Sequence, residues 1–227
     1  MMKKRFLTKS RFKLAIECPA KLFYTGKKEY ANQHLEDSFL LALADGGFQV
    51  GELAKLYHPG GYDITTLDHA EALKQTNELL HQEDVTIYEA AVSVGSLFIR
   101  VDVLIKKGNR FKLIEVKAKS FDSNEGSPFL NKNGTIKSDW RPYLYDVAFQ
   151  KHVMALAFPG YEVQAFLMLA DKSALCPTDG LNQKFRLAKD DGGRKTVIVS
   201  DSITSDDLTP PILSAINVDA ICDQIFQ

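Results

Sequence analysis

The chain has 227 residues, 45% of them apolar and 25% charged, which is enough to bury one sizeable core or two small ones and excludes disorder as the main state. With 28 Lys and Arg against 29 Asp and Glu, the net charge of -1 excludes a body that holds nucleic acid by overall positive charge and confines any basic contact to a local patch. No apolar run approaches the ~20 residues that span a bilayer, and the first residues lead into polar sequence rather than a signal-peptide core, so a cytoplasmic protein with no membrane association is expected.

Residues 3–28 hold nine Lys or Arg against one acid, Glu17. Phe6, Leu7, Phe12, Leu14, Ile16, Leu22 and Phe23 are interleaved with those charges. Thr8 or Ser10 can cap a helix that Cys18-Pro19 interrupts, so two short helices are expected in succession. Two more are predicted over 36–44 and 48–57, separated by Asp45-Gly46-Gly47 and ended by Pro59-Gly60-Gly61. Asp68 can cap a further helix running to about residue 82.

After Glu83 the apolar period changes from helical to alternating, which predicts strands over 85–94, 97–106 and 110–119. Gly95-Ser96 and Lys107-Gly108-Asn109 are hairpin-length separators, so the three strands should form an antiparallel meander. Residues 120–139 are polar and irregular, with a possible small hairpin over 130–136 around Asn133-Gly134; connections this long are usually functional or mobile. A nearly buried helix is predicted over 142–158, with Pro142 in its first turn, then a central strand over 161–170. Weaker strands over 183–188 and 195–200, a break at Pro210-Pro211 and a terminal helix complete the chain. The fold class expected is α/β or α+β: one domain with a mixed sheet, an antiparallel three-strand meander and flanking helices. It divides into a helical, basic part (1–82), a core (83–171) and a C-terminal elaboration (172–227).

In the second meander strand the odd positions from Leu97 to Ile105 are apolar, so Arg100 and Asp102 share the other face. In the third, Ile114, Val116 and Ala118 form the apolar side, and Glu115 and Lys117 lie opposite with Leu113. Neighbouring antiparallel strands bring facing side chains to ~5 Å, which makes Asp102 and Glu115 near neighbours. Two carboxylates and a lysine on one face suit divalent-metal hydrolysis of a phosphodiester. Hard oxygen ligands hold Mg2+ or Mn2+, the metal activates water, and an ammonium steadies the developing charge. The alternative is a salt bridge of Asp102 or Glu115 with Lys117 on the solvated side of a sheet, since such spacings are common by accident.

Asp102 followed after twelve residues by Glu115-Val116-Lys117 resembles the core of the PD-(D/E)XK nucleases. The surrounding words are similar to its RecB-like branch: Tyr88-Glu89-Ala90-Ala91, Arg100-Val101-Asp102, Ile114-Glu115-Val116-Lys117 and Asp146-Val147-Ala148-Phe149-Gln150, in that order. Thr8-Lys9-Ser10-Arg11 with Cys18-Pro19-Ala20-Lys21-Leu22-Phe23-Tyr24 resembles the N-terminal signature of the same group. The resemblance covers roughly residues 7–170 and implies a restriction-endonuclease-like core. Its implied activity is Mg2+- or Mn2+-dependent hydrolysis of single- or double-stranded DNA, as an exonuclease before an endonuclease, in repair, recombination or the processing of phage and mobile elements. It implies Asp102 and Glu115 as metal ligands, Lys117 as the catalytic lysine, Gln150 as a supporting residue and Glu89 as an auxiliary acid. Read without the resemblance, Gln150 is a polar residue satisfying a buried hydrogen bond and Glu89 an edge charge.

Lys3, Lys4, Arg5, Lys9, Arg11, Lys13 and Lys21 either line a groove for the nucleic-acid backbone or form a solvated helix face, and Arg100 joins them as a candidate contact. Trp140, ending a flap over 120–139, either stacks on a base or packs in the core. The chain departs from the RecB-like pattern at Gly47 to Leu53, where a metal-binding histidine is common and none stands here; Glu52 substitutes for it or is a solvated helical residue, and His58 reads as a loop residue. Cys18 matches the first cysteine of the iron–sulfur cluster some relatives carry. Cys176 and Cys222 stand alone, so either no cluster is held or the chain is a fragment with a further domain or partner protein. The competing readings are a nucleic-acid-binding module that keeps the fold without hydrolysis, and a small-molecule or protein-binding domain whose ion pairs imitate the motif.

Overall fold

The computed structural model describes residues 5–27, 29–30, 38–190 and 195–226, and the side chains of all of these but 38–44. Two short helices open it. In α1, Lys9–Glu17, the Thr8 side chain accepts the Arg11 backbone N–H, and α2, Pro19–Tyr24, starts on its proline. The next helix, α3, runs unbroken over Ser38–Tyr57, where two helices parted by Asp45-Gly46-Gly47 were expected; residues 36 and 37 of that expectation lie outside the described residues. Each helical glycine costs about 1 kcal/mol relative to Ala. Tertiary packing outweighs that here, because Leu53 and Ala54 of the same helix are buried against the sheet.

Apart from its chain neighbours and the backbone of its own helix, no described atom lies within 4 Å of a Cβ added at Gly46. Gly46→Ala is therefore expected to stabilise the protein by about 0.5–1 kcal/mol, by restricting the unfolded chain. A melting temperature unchanged or lowered in that variant would show that the helix is not held as described.

The main sheet has six strands in the order β1-β2-β3-β4-β5-β8. They are β1 Tyr62–Asp63, β2 Asp84–Val94, β3 Leu97–Lys107, β4 Arg110–Phe121, β5 Glu162–Asp171 and, after the β6–β7 pair described below, β8 Leu213–Asn217. Helix α4, His69–Leu79, precedes β2, and Asp68 caps it as expected by accepting the Glu71 N–H at 2.9 Å. β2, β3 and β4 form the predicted antiparallel meander. Its two-residue turns need the positive φ that Gly95 and Gly108 supply, at 57° and 54°. From β4 the chain crosses over through α5, Arg141–Ala157, to β5, which pairs parallel to β4; parallel neighbours require such a crossover.

Helix α5 covers one face of the sheet, where Leu144, Val147, Val153 and Met154 meet Leu104, Leu113, Leu167 and Leu169. α3 covers the other, against Val103, Ile114 and Met168. Both faces of the meander are thus buried, and the face carrying Asp102 and Glu115 is not the solvated one that a one-sided sheet would present. Lys106, buried on β3, spends its ammonium on the carbonyls of Leu80 and Gln82 at 2.8 and 2.6 Å, at the end of α4. No helix among the described residues is long and apolar enough to cross a membrane.

The C-terminal stretch does more than elaborate the core. β6, Phe185–Lys189, and β7, Lys195–Val199, pair as a separate hairpin that is tied to α3 by Gln49 on the Phe185 carbonyl at 2.6 Å and by Lys195 on Asp45 at 2.5 Å. After the short α6, Ser205–Leu208, β8 adds the sixth strand to the main sheet beside β5, and α7, Asp219–Ile225, packs on α5. Asp207 closes a capping box with Thr204 and receives the Lys184 ammonium at 2.7 Å. The Lys184 bond, followed by those from Thr204, holds the Asp207 carboxyl down at about 2, below its ordinary 3.8. A carboxyl depressed in the folded state stabilises above its unfolded value and loses that contribution as pH falls toward the folded one. In acid melts the stability gap between wild type and Asp207→Asn should therefore close between about pH 4 and pH 2; a gap constant across that window would exclude the contact.

Candidate active site

The ladder between β3 and β4 stops at the pair Val103–Ile114. The next facing pair in that register is Asp102 and Glu115, and the hydrogen-bonded pair that would follow it, Val101 with Val116, is not formed. Instead Asp102 Oδ2 accepts the Val116 N–H at 2.7 Å, so a side chain replaces a ladder bond. Beyond Val116 the pairing of β4 with β5 also shifts, resuming at Ser120. On the other side of β3, Glu89 sits at φ 55°, the non-glycine residue with left-handed backbone among the described residues. Such a conformation costs on the order of 1–3 kcal/mol and clusters where geometry serves function. Three irregularities in an otherwise regular meander meet around Asp102.

The side chains there form an ion network. Glu115 is fully buried; it receives Lys9 Nζ at 3.0 and 3.1 Å, the Lys117 ammonium and Gln150 Nε2 at 2.6 Å. Lys9 also lies 3.5 Å from Asp102 Oδ1. Asp146, one turn before Gln150 on α5, is 3.4 Å from Lys117 and 3.6 Å from Lys13. Asp102, Glu115 and Lys117 are thus brought together as their spacing suggested, Gln150 joins them through its bond to Glu115, and burial under α5 removes the reading of Glu115 as part of a surface salt bridge.

Burial alone would raise the Glu115 carboxyl, but the charges of Lys9 and Lys117 and the donated hydrogen bonds outweigh it and hold it low. Asp102 goes the other way, raised by burial and then by Glu115, as does Asp146 for the same two reasons. Burial opposes the Lys117 and Lys9 ammonium groups, yet the carboxylate charges prevail and raise both. Carboxylates this close resist ionising together unless cations stand among them.

Two buried acceptors in this group, Asp146 Oδ1 and Gln150 Oε1, have no hydrogen-bond donor among the described residues. Like the carboxylates of Asp102 and Glu115, they are hard oxygens, the donor type that Mg2+ or Mn2+ prefers. No three His, Cys, Asp or Glu among the described residues converge as a ready ligand cluster. Glu52, considered as a stand-in for the missing histidine, pairs with Lys55 at 2.8 Å instead. His58 follows the end of α3, its Nε2 buried without a partner among the described residues.

A cleft of about 400 Å³ opens onto Asp102 and Lys117. Its walls are α3, through Phe48, Gly51 and Glu52, the end of β1 at Asp63, and β7 at Thr196. The basic residues of the N-terminal segment were expected in a groove, and the structure distributes them differently. Lys9 and Lys13 turn inward to the carboxylates. Lys21 pairs with Glu17 at 2.6 Å on an exposed surface, Arg5 donates to the Leu22 carbonyl at 3.0 Å, and Arg11 lies half-buried on α1; Lys3 and Lys4 lie outside the described residues. Arg100 is occupied as well, holding the carbonyls of Thr66 and Ile64 at 2.7 and 2.5 Å and facing Glu89 at 3.4 Å. Trp140, expected either to stack on a base or to pack in the core, is 6% exposed. Phe129 lies edge-on to it and the Lys119 ammonium sits 4.2 Å from its ring centre, so a base would have to displace both packing and cation.

The residue that sequence reasoning misplaced is Lys9. Its contacts with Asp102 and Glu115 span 93 and 106 residues of chain, and no local pattern carries information over that distance. No protein-family model matches the chain, and no curated protein matches it.

Proposed function

We propose that the chain is a metal-dependent nuclease of the PD-(D/E)XK type, close to the RecB-like branch, that hydrolyses phosphodiester bonds of DNA. The observation that carries this reading is the convergence of Asp102, Glu115, Lys117 and Gln150 where the β3–β4 ladder opens, with Glu115 and Gln150 buried and Asp102 and Lys117 facing the cleft. A helix before the meander and a crossover helix and parallel strand after it are the elements that this superfamily's core requires, and they frame the cluster.

Asp102 and Glu115 would hold Mg2+ or Mn2+, which when bound polarises the phosphate and lowers the pKa of the attacking water. Gln150 fixes the Glu115 carboxylate by donating to Oε2, which Lys9 also reaches, while Lys117 is on Oε1. Lys117 keeps its proton beside Glu115 and presents a positive charge to the phosphate oxygens as negative charge grows on them. The cleft beside Asp102 and Lys117 gives the phosphate a way in.

Purified protein incubated with linear, nicked and single-stranded DNA, and with RNA, should degrade at least one DNA substrate in Mg2+ or Mn2+ and none in EDTA. No degradation, together with retained DNA binding, would make the chain a binding module instead.

A further inference from the structure

Three carboxylates (Asp102, Glu115, Asp146) and three ammonium groups (Lys9, Lys13, Lys117) balance one another in the cluster. A divalent cation added to this set with every lysine in place would leave two uncompensated positive charges around the buried Glu115 and Asp146 carboxylates, a cost that withdrawal of an ammonium to water reduces. Withdrawal of one lysine halves that excess, and the lysine that competes with the cation for the same oxygens is the one to withdraw. Lys9 alone touches both Asp102 and Glu115, the two carboxylates read here as cation ligands. It is a quarter exposed, so its ammonium has a path to water.

Its helix makes withdrawal feasible. α1 has no fully buried residue. It is attached to the rest of the fold by the backbone bonds of Leu7 with Ser96 and Phe98 at 2.8 and 3.1 Å, and by Phe12 stacked on Phe149 at 4.5 Å. These contacts anchor the helix without involving the Lys9 side chain. The long apolar stem of a lysine can rotate at low cost while the helix stays in place. Lys117, by contrast, is on the central strand β4 and is also held by Asp146.

We propose that Lys9 is a built-in counter-ion of the site, holding the Asp102 and Glu115 carboxylates together and giving way to the divalent cation that binds them. The idea rests on the nuclease reading and adds a regulation to it. The same oxygens serve the ammonium or the metal, so the apparent metal affinity is reduced by the fraction of molecules in which Lys9 is docked. By reciprocity, bound metal favours an undocked Lys9.

Lys9→Met keeps the stem and removes the charge. Calorimetric titration with Mn2+ alone should show this variant binding about tenfold tighter than wild type, and Asp102→Asn binding weakly or not at all. Equal or weaker binding by Lys9→Met, with wild type binding measurably, would overturn the displacement and leave the nuclease reading standing. No Mn2+ binding by either protein would overturn both. A second readout uses the unaltered chain, in case the variant folds poorly: acylation of Lys9 by an amine-reactive reagent, followed by mass spectrometry. Labelling should quicken several-fold in Mg2+ for wild type and stay unchanged for Asp102→Asn. A rate insensitive to Mg2+ in a wild-type protein that binds the ion would also overturn the displacement.

Discussion

Asp102→Asn is expected to lower metal-dependent cleavage by about 10³-fold or more, equivalent to about 4 kcal/mol of transition-state stabilisation, while the protein stays folded. The reason for both halves is visible at Asp102. Its Oδ2 replaces a ladder bond by accepting the Val116 N–H, and an amide oxygen can do the same. What Asn lacks is the charge that a divalent cation needs and that Lys9 answers in the metal-free protein. Lys117→Ala should separate binding from chemistry. Asp102 and Glu115 keep their oxygens, so Mn2+ should still bind, but the ammonium that meets charge in the transition state is gone and activity should fall by about 10²-fold or more. The measurements are initial rates on the best DNA substrate with Mn2+ titrations of each variant. Cleavage by Asp102→Asn at the wild-type rate would refute the assignment. Equal loss of metal binding and activity in Lys117→Ala would make that lysine a positioning residue only.

Glu115→Ala should be the most destabilising single change in the cluster. Glu115 is the fully buried acceptor on which Lys9, Lys117 and Gln150 all converge. The two lysines are partly exposed and can turn to water, so little of the loss comes from them. Gln150, fully buried on α5, cannot turn away, and it loses its 2.6 Å acceptor beside a new cavity, keeping only the longer bond to the Asp146 carbonyl at 3.4 Å. The sum is about 3 kcal/mol, or a fall in melting temperature of about 6–12 °C for a chain of this size. Glu115→Gln should cost less, because the amide oxygen still accepts from Gln150, yet should lose cleavage as fully as Glu115→Ala. A melting temperature for Glu115→Ala within a degree of wild type would mean that the network contributes nothing to the fold.

The meander was legible in the sequence because both of its signals are local. Alternation in 97–106 and 110–119 sets which residues share a face, and a glycine at each two-residue turn sets the register that makes Asp102 and Glu115 the next facing pair after Val103–Ile114. The Asp68 cap, the proline-started α5 and the spacing of Asp146 and Gln150 on one helical stripe are readable for the same reason: each lies within one turn of its own evidence in the chain. What local patterns could not supply is anything that depends on a remote partner. The two-residue β1 and the five-residue β8 are strands only because β2 and β5 offer them an edge. α3 continues through Asp45-Gly46-Gly47 because burial of Leu53 and Ala54 outweighs two unfavourable glycines.

At the site the division is the same. The residue types Asp102, Glu115 and Lys117, and their common face, follow from the sequence by the two-residue period of a strand. Whether that face meets water or a helix does not, since alternation reports only that one side is apolar. α5 decides it by covering the face, and with that cover a pair of carboxylates becomes a buried charge cluster in need of cations. The sequence around Lys9 shows one of several basic residues in a solvated or nucleic-acid-facing segment; its place between Asp102 and Glu115 is set by the Leu7 bridge to β3 and the Phe12–Phe149 stack. Sequence determined the chemistry that the strands carry, because side-chain type and period are local, and only the tertiary structure decided its protonation, its counter-ions and its access, because those are set by charges and surfaces about a hundred residues away in the chain.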